Sequence, residues 1–473
     1  MKSVNKGLPI TRKAIMAPRE RLRRFLANST AIDFLRKQLH NFPILQEMVG
    51  LASYSFRKRA FIDTGKPISV DFKYNHATTA NNKHQLLIDV SGVELRDVHT
   101  GVQRVTRSLL KELLDNPPGG FVVEPVYTDA SGHIRYARRF LCAINQETHE
   151  SEDSIVVVYP GDIFYCPDLY FPCPFSALSD LQRQGLHICF TIYDLIPFKY
   201  PDLFSKAFYN PFNDWFSGVL AIADSVVCDS RAVADEVVAW LDGHPYICDR
   251  ALPIGFFHLG ADIEASKPTS GVVNEGEEVL VACEKRPTML MVGTVEARKG
   301  HAQVLAAMDL LWRAEVDINL IIIGREGGWR TQKLTRQLRR HPERNQRLFW
   351  LESASDALLL KLYASVSALV AASFAEGFGL PLIEAARQGL PILARDIPVF
   401  REVAGDYAFY FQGEYPEDLS EAIHQWLVLY TKGCAPSSIG LPWLTLAQSS
   451  RQLHDLIVGN KWYQIWMPET KEM

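Results

Sequence analysis

The sequence predicts an α/β protein with two Rossmann-like domains that face each other across a cleft. A chain of 473 residues is longer than a single hydrophobic core usually supports. Short apolar segments alternate with helical segments along most of the chain, as in parallel sheets covered by helices on both faces. The alternation is interrupted once, at about residues 262–286, where the composition is that of a linker. Ligands of such folds bind at the carboxyl ends of the strands, so the cleft is the expected site.

The first array of elements follows residue 80. Its predicted strands are residues 85–91, 121–127, 154–162, 187–194 and 225–230, and its predicted helices include 101–114 and 232–241. The second array has predicted strands at 288–293, 318–324, 347–352, 368–373 and 390–394, with helices between them. The predicted domains are residues 81–262 and 287–440, and we expect helices within residues 441–473 to pack back on the first domain.

The composition is that of a globular protein, with 47% hydrophobic residues, 22% charged residues and a net charge of −4. No uninterrupted apolar segment is long enough to cross a bilayer, and the N-terminus lacks the apolar core of a secretory signal. The eight cysteines include no Cys-x-x-Cys pair, which favours a reduced cytoplasmic protein over a disulfide framework or a zinc site.

The first 60 residues are strongly basic. They contain thirteen Lys or Arg and three Asp or Glu, a net charge of +10, so the rest of the chain carries −14. Phe and Leu recur among the arginines at roughly helical spacing, and residues 1–80 are therefore predicted to form a basic helical extension. It could lie on an anionic membrane surface or pack on the next domain as an extra layer. Nucleic acid is not expected as a partner, because nothing later supplies a basic face with aromatic stacking residues.

The segment SFAEGFGLPLIEAARQGLPILA, residues 373–394, places two glutamates around a glycine turn. Glu376 follows a predicted strand at the cleft edge, and Glu384 lies in the first turns of a helix that begins near Leu380. A helix N-terminus suits a phosphate, and a carboxylate can accept two hydrogen bonds from the vicinal diol of a ribose. The unit therefore predicts sites for a sugar, a diphosphate and a ribose. A favourable position in the helix dipole would explain Glu384 alone, but not the whole unit.

These motifs resemble the retaining GT-B glycosyltransferases of family 4, which share a Glu-x7-Glu motif. EGFGLPLIEAARQGLPILARDIPVFREVAGDYAFYF is similar to their donor-site signature, and VGTVEARKGHAQVLAAM (292–308) to the start of their C-terminal domain. In the first half, TGVQRVTRSLL, YPGDIFYCPDLYF and YDLIPFKYPDLF look like the subgroup that builds bacterial O-antigens and exopolysaccharides. Mannosyl and rhamnosyl transferases are common in that subgroup. The resemblance covers about residues 84–465.

The resemblance implies roles for residues of the second domain. Arg298 and Lys299 would neutralise the diphosphate leaving group. Stabilising the charge that develops on the leaving group is where a transferase gains most of its rate enhancement. Glu376 would bind hydroxyls of the donor sugar, and Glu384 would bind the ribose. Backbone amides for the donor sugar and phosphate would come from Gly377, Phe378, Gly379 and Leu380.

The chain departs from the family pattern in the first loop of the second domain. Many relatives have an arginine where this chain has Thr294, and we expect Arg325 or Arg330 to compensate for it. From across the cleft, Gly101 would let the backbone of the first domain approach the diphosphate; the alternative is simply a helix start.

Asp194, at the end of a predicted strand, is the best candidate in the acceptor half. It would orient the acceptor hydroxyl or receive its proton; the alternative is a carboxylate that caps the following turn. Relatives often have His before this aspartate, whereas this chain has Tyr193. Ser230, at the next strand end, would cap a helix or contact phosphate. The chain has no Asp-x-Asp motif, so neither a metal ion nor another cofactor is expected.

The expected function is therefore transfer of a hexose, preferably mannose, from a nucleotide diphosphate sugar. The acceptor would be a glycan or a lipid-linked oligosaccharide of a bacterial surface polysaccharide, at the inner face of the membrane. Alternatives are a rhamnosyl- or glucosyltransferase that uses a dTDP or UDP donor, and a non-catalytic sugar-nucleotide-binding subunit of a synthase complex.

Overall fold

A computed structural model of the chain describes residues 83–95, 101–145, 153–171, 173–262 and 274–468. The predicted basic extension, residues 1–80, lies outside these ranges. Within them, the chain forms two α/β domains with one sheet each, which confirms the predicted GT-B-like architecture of two Rossmann-like domains.

The first sheet contains eight strands. They are β1 (His84–Asp89), β2 (Phe121–Thr128), β3 (Ile134–Tyr136), β4 (Ile163–Cys166), β5 (His187–Ile192), β6 (Ser225–Cys228), β7 (Leu252–Phe256) and, from near the C-terminus, β14 (Gln464–Trp466). Their order is β14-β7-β6-β5-β4-β1-β2-β3, parallel except for the two edge strands β3 and β14. Most residues of β1, β4 and β6 are buried, as expected for a sheet covered on both faces.

Seven helices of the described ranges belong to this domain before the chain enters the second. They are α1 (Ser91–Leu95), α2 (Gly101–Asp115), α3 (Arg138–Asn145), α4 (Phe175–Gln182), α5 (Ile196–Lys199), α6 (Lys206–Ile222) and α7 (Arg231–Gly243), with a 3₁₀ turn at Pro201–Leu203. Helix α2 shows how the sequence sets the orientation: it buries Val105, Leu109, Leu110 and Leu113 along one face.

The second sheet contains six parallel strands in the order β10-β9-β8-β11-β12-β13. They are β8 (Thr288–Val292), β9 (Asn319–Ile323), β10 (Leu348–Leu351), β11 (Ala368–Ala371), β12 (Ile392–Arg395) and β13 (Ala408–Phe411). The helices are α8 (Asn274–Lys285), α9 (His301–Arg313), α10 (Gln332–Arg340), α11 (Asp356–Ser365), α12 (Leu380–Arg387), α13 (Pro398–Ala404) and α14 (Pro416–Thr431), with 3₁₀ turns at Ala297–Lys299 and Gly405–Tyr407.

The chain then returns to the first domain. Residue Leu444 bridges to Gly260, and Leu446–Ile457 forms α15, which packs against α2 and β7. Strand β14 adds to the edge of the first sheet antiparallel to β7. None of the helices in the described ranges has both the length and the apolar character needed to cross a membrane.

Two predicted elements are wrong. Residues 154–162 form no strand; Ile155 makes an isolated bridge to Arg135, and the strand begins at Ile163, because the buried run IFYC pairs with both β1 and β5. The predicted linker at 262–286 contains α8, which packs against α11. Two residues of α8 one helical turn apart, Val279 and Ala282, are buried.

Candidate active site

The loop between β11 and α12 carries the glycine turn at the carboxyl edge of the second sheet. Gly379 ends this loop in the left-handed conformation, with φ of +98°, and a Cβ there would lie 2.8 Å from the Phe400 ring. Both the turn and the packing therefore require glycine. Pro381 lies in the first turn of α12, where a helix does not need its missing N–H.

Glu376, in this loop, is the centre of a compact ion-pair cluster. Its Oε1 accepts hydrogen bonds from Lys299 Nζ and from Ser373 Oγ, the latter at 2.7 Å. Its Oε2 accepts a hydrogen bond of 3.0 Å from Arg298 Nη1. The structure thus brings Glu376 into direct contact with Arg298 and Lys299, which lie 78 and 77 positions earlier in the sequence.

The turn before α9 explains why both cations lie at this edge. Gly300 is left-handed, with φ of +78°, and a Cβ there would lie 2.3 Å from the carbonyl oxygen of Ala372. The 3₁₀ turn at Ala297–Lys299 can therefore pack directly against the end of β11. Phe374 N donates a hydrogen bond of 2.8 Å to the carbonyl of Arg298, which ties the two loops together.

The charges of the cluster stabilise one another. Burial alone would raise the pKa of Glu376, but the ion pairs with Lys299 and Arg298 dominate and lower that pKa to about 2. Burial also disfavours the charged form of Arg298, yet Glu376 and Glu296 raise its pKa above the ordinary value. Glu376 and Arg298 are therefore charged at every physiological pH.

A pocket opens beside this cluster. Its polar lining includes Lys299, Ser373 and Glu376, and its apolar lining includes Leu382 and Phe400. Convergent polar groups on an otherwise apolar pocket are typical of small-molecule sites.

Glu384 lies in α12, one turn beyond the pocket, and is 4% exposed. Its Oε1 forms an ion pair with Arg104 Nη2 of the first domain. Its Oε2 accepts a hydrogen bond of 3.0 Å from Tyr363 Oη of α11. The carboxylate is thus held from both sides of the cleft.

Two aspartates of the first domain lie at the ends of neighbouring strands. Asp194, after β5, caps the turn into α5 by accepting a hydrogen bond of 3.1 Å from Ile196 N. Asp229, after β6, is 3% exposed, and its Oδ1 has no hydrogen-bond partner. Burial raises the pKa of Asp194, although the positive charge of Arg298 opposes this. Burial and then the charge of Asp194 raise the pKa of Asp229 well above its ordinary value.

The two domains touch directly at Gly377. A Cβ on this residue would lie 1.9 Å from the carbonyl oxygen of Tyr193, so only glycine allows the approach. Ser230 Oγ donates a hydrogen bond of 2.6 Å to the Gly377 carbonyl and also accepts one from Val233 N at 3.2 Å. Ser230 therefore caps α7, which was one of its two predicted roles, and joins the domains.

Glu402 of α13 makes a second contact between the domains. Its carboxylate accepts hydrogen bonds from Arg231 N (2.7 Å) and Ala232 N (2.8 Å), at the N-terminus of α7. His258 Nε2 lies 2.7 Å from the same carboxylate. An anion at a helix N-terminus is favourable, so this contact stabilises a closed cleft.

The other residues singled out from the sequence lie around this centre. Phe378 is buried, with its ring centroid 5.5 Å from that of His258, and Leu380 is the first residue of α12. Thr294 packs closely on Gly327, and the carbonyl of Arg325 accepts a hydrogen bond of 2.9 Å from Val295 N.

Gly101 and Arg330 make none of the hydrogen bonds described above for Glu376. Gly101 begins α2, and no described atom lies within 4 Å of the position its Cβ would take. The guanidinium of Arg330 lies 5.4 Å from the centroid of the neighbouring Trp329 ring.

Several residues of the site were not singled out from the sequence, namely Arg104, Asp229, Tyr363, Ser373 and Glu402. Arg104 belongs to the TGVQRV motif and Ser373 opens the glycine-turn segment, so both lay within quoted motifs. Glu402 acquires its role only when the two domains meet, whereas Tyr363 reaches Glu384 from a neighbouring helix of the same domain. Within the described ranges, no group of three or more His, Cys, Asp or Glu is arranged to hold a metal ion.

Residues 274–432 match the family described as "Glycosyl transferases group 1". The chain is 40% identical over 374 residues to the serotype-specific mannosyltransferase WbdA of Escherichia coli, a match that covers 78% of this chain and 44% of WbdA. The chain thus spans less than half the length of that relative. The O-antigen chain mannosyltransferase RfbU of Salmonella typhimurium is 37% identical over 81 residues, 17% of this chain and 23% of RfbU.

Solved structures share the fold. Sucrose-phosphate synthase from Thermosynechococcus elongatus aligns with a TM-score of 0.52 at 16% identity, over 78% of this chain and 94% of that protein. The catalytic domain of starch synthase IV from Arabidopsis thaliana aligns with a TM-score of 0.52 at 15% identity, over 80% of this chain and 99% of that domain. At these identities the likeness concerns the fold alone.

Proposed function

We propose that the chain is a retaining hexosyltransferase, because residues 274–432 match the group 1 glycosyltransferases and the described part of the chain has the two-domain GT-B fold. The proposed donor is a nucleotide diphosphate sugar, and mannose is the favoured sugar because the relatives WbdA and RfbU are mannosyltransferases. The proposed acceptor is a glycan or lipid-linked oligosaccharide of a surface polysaccharide.

The observation that carries this proposal is the cluster of Lys299, Arg298 and Glu376 beside the pocket. Lys299 and Arg298 would stabilise the negative charge that develops on the departing nucleoside diphosphate. Glu376, held ionised by the two cations, would accept hydrogen bonds from hydroxyls of the donor sugar. The N-terminus of α12 would add backbone N–H groups to the phosphate site.

Asp194 is the proposed group on the acceptor side. Burial raises its pKa, which makes its carboxylate a better acceptor for the proton of an attacking hydroxyl. Because Arg298 acts on both Asp194 and Glu376, it would link the acceptor and donor halves of the reaction. We also propose that the reaction needs no metal ion, since Lys299 and Arg298 can supply the positive charge.

We further propose that residues 1–60 hold the enzyme at an anionic membrane surface. Their net charge of +10 and their Phe and Leu residues support this, because basic residues contribute about 1 kcal/mol each near such a surface. A lipid-linked acceptor would be found at the same surface.

The experiment that tests the function is transfer to a mannose-terminated oligosaccharide, followed by mass spectrometry. GDP-mannose, UDP-glucose and dTDP-rhamnose are offered separately, with Lys299→Ala as the inactive control. We expect a gain of one hexose from GDP-mannose, and NMR of the product should show retention of the anomeric configuration. If none of the three donors is transferred or hydrolysed, and none raises the melting temperature, the proposal is wrong.

A further inference from the structure

We propose that Arg104 is a positioning residue that completes ribose recognition only when the cleft is closed. The inference rests on the proposed function, because it assumes that Glu384 binds the ribose of a nucleoside diphosphate. It gives the first domain a role in donor recognition, although Arg104 itself need not touch the donor.

The position of Arg104 follows from the packing of α2. The buried face of this helix holds it against the first sheet, and α2 begins at Gly101, so Arg104 lies in its first turn. From there its guanidinium reaches Glu384 of the other domain. The charge of Glu384 raises the pKa of Arg104, so the guanidinium of Arg104 stays charged.

The carboxylate of Glu384 is buried and engaged through both oxygens. Arg104 donates to Oε1, and Tyr363 donates to Oε2 at 3.0 Å. A carboxylate oxygen has two lone-pair sites, so each oxygen keeps one for a further donor. The two remaining sites suit the two hydroxyls of a vicinal diol, and the flanking donors fix the plane in which they lie.

Tyr363 and Glu384 belong to the second domain, whereas Arg104 belongs to the first. Opening the cleft would therefore remove Arg104 and leave Tyr363. The Glu384 side chain is buried but that of Arg104 is 36% exposed, and an ion pair of this kind contributes little net stability because solvent screens it and desolvation offsets part of the attraction. The Arg104–Glu384 pair is better explained by a role in binding: it makes tight binding of the ribose depend on closure of the cleft.

The test compares binding of GDP with binding of 2′,3′-dideoxy-GDP by calorimetry; the corresponding UDP pair is used if the wild type binds UDP instead. The variants are Arg104→Gln, Arg104→Lys and Glu384→Gln. Lys111→Gln is the matched control, because Lys111 is an exposed cation of the same helix that pairs only within it, with Asp115.

We expect the wild type to prefer GDP over the dideoxy analogue by on the order of tenfold or more, as for buried hydrogen bonds to a charged group. Arg104→Gln should lose most of this preference, as Glu384→Gln does, with unchanged affinity for the analogue. Arg104→Lys should recover part of the preference, and Lys111→Gln should behave as the wild type.

Two results would overturn the inference alone. If Arg104→Gln keeps the full preference, Arg104 does not act through Glu384. If it weakens GDP and the analogue equally, Arg104 binds the diphosphate directly. Failure of the wild type to bind any nucleoside diphosphate would instead refute the proposed function and the inference with it.

Discussion

Replacing Glu376 with glutamine tests whether the ion-pair cluster has the strength that its geometry implies. The pKa of Glu376 falls from an ordinary value of 4.5 to about 2 in the folded protein. At about 1.4 kcal/mol for each tenfold change, this corresponds to about 3 kcal/mol of stability at pH 7. Glu376→Gln should lose about that amount, because the amide keeps the shape but not the charge opposite Lys299 and Arg298.

The pH dependence gives a sharper test. A carboxylate whose pKa is lowered on folding stabilises the protein above its unfolded pKa, and this contribution is lost as the pH falls through its folded pKa. The difference between wild type and Glu376→Gln should therefore be constant from pH 6 to 8 and shrink to about half by pH 3. Urea unfolding followed by tryptophan fluorescence measures it.

The matched control is Glu352→Gln. Glu352 also pairs with an arginine, Arg339, in the same domain, but the side chain of Glu352 is 51% exposed. A surface pair contributes about 0–1 kcal/mol, so this variant should be close to the wild type. Equal losses of unfolding free energy in Glu376→Gln and Glu352→Gln would refute the reasoning. So would a loss in Glu376→Gln that does not change with pH.

Four further outcomes are expected. Lys299→Ala should lower kcat by one or more orders of magnitude in a protein that still folds, with a lower melting temperature because Glu376 loses its ion pair with Lys299, and near-normal turnover would place the diphosphate elsewhere. Glu402→Gln, which removes the anion at the N-terminus of α7, should increase the radius of gyration measured by X-ray scattering; an unchanged radius would show that other contacts hold the cleft. Removal of residues 1–60 should abolish binding to anionic vesicles at low salt while transfer to a soluble acceptor continues, unless the segment is a packed structural layer. EDTA should leave transfer unchanged, and a loss that Mg²⁺ restores would contradict the metal-free proposal.

The sequence predicted the two-domain fold because buried parallel strands read as short apolar runs. Five of the six strands of the second sheet were found within a few residues, whereas β13 was not predicted. It misplaced β4 because SIVVVYP is as apolar as IFYC, and only pairing with β1 and β5 decides between them. It missed α8 because Gly and Glu in NEGEEVLVACEK resemble a linker, although Val279 and Ala282 have helical spacing.

Some residues of the candidate site could likewise be predicted from the sequence, and others could not. Glu376, Lys299 and Arg298 could be found because each lies in a short motif with glycines that fix its loop. Arg104 could not be paired with Glu384 from the sequence, because 280 positions separate them and they meet only where two domains touch. The same holds for Glu402, whose hydrogen bonds are made to backbone groups of the other domain.

The return of the chain to the first sheet through β14 has a practical consequence for observing the cleft. A fluorophore fused after β14 would report on the first domain, although most of the preceding 190 residues belong to the second. Of the eight cysteines, all within the described ranges, Cys434 is the exposed one, and it follows α14 in the second domain. Energy transfer between a dye on Cys434 and such a fusion would therefore follow opening and closing in real time, without any change to the residues that face the cleft.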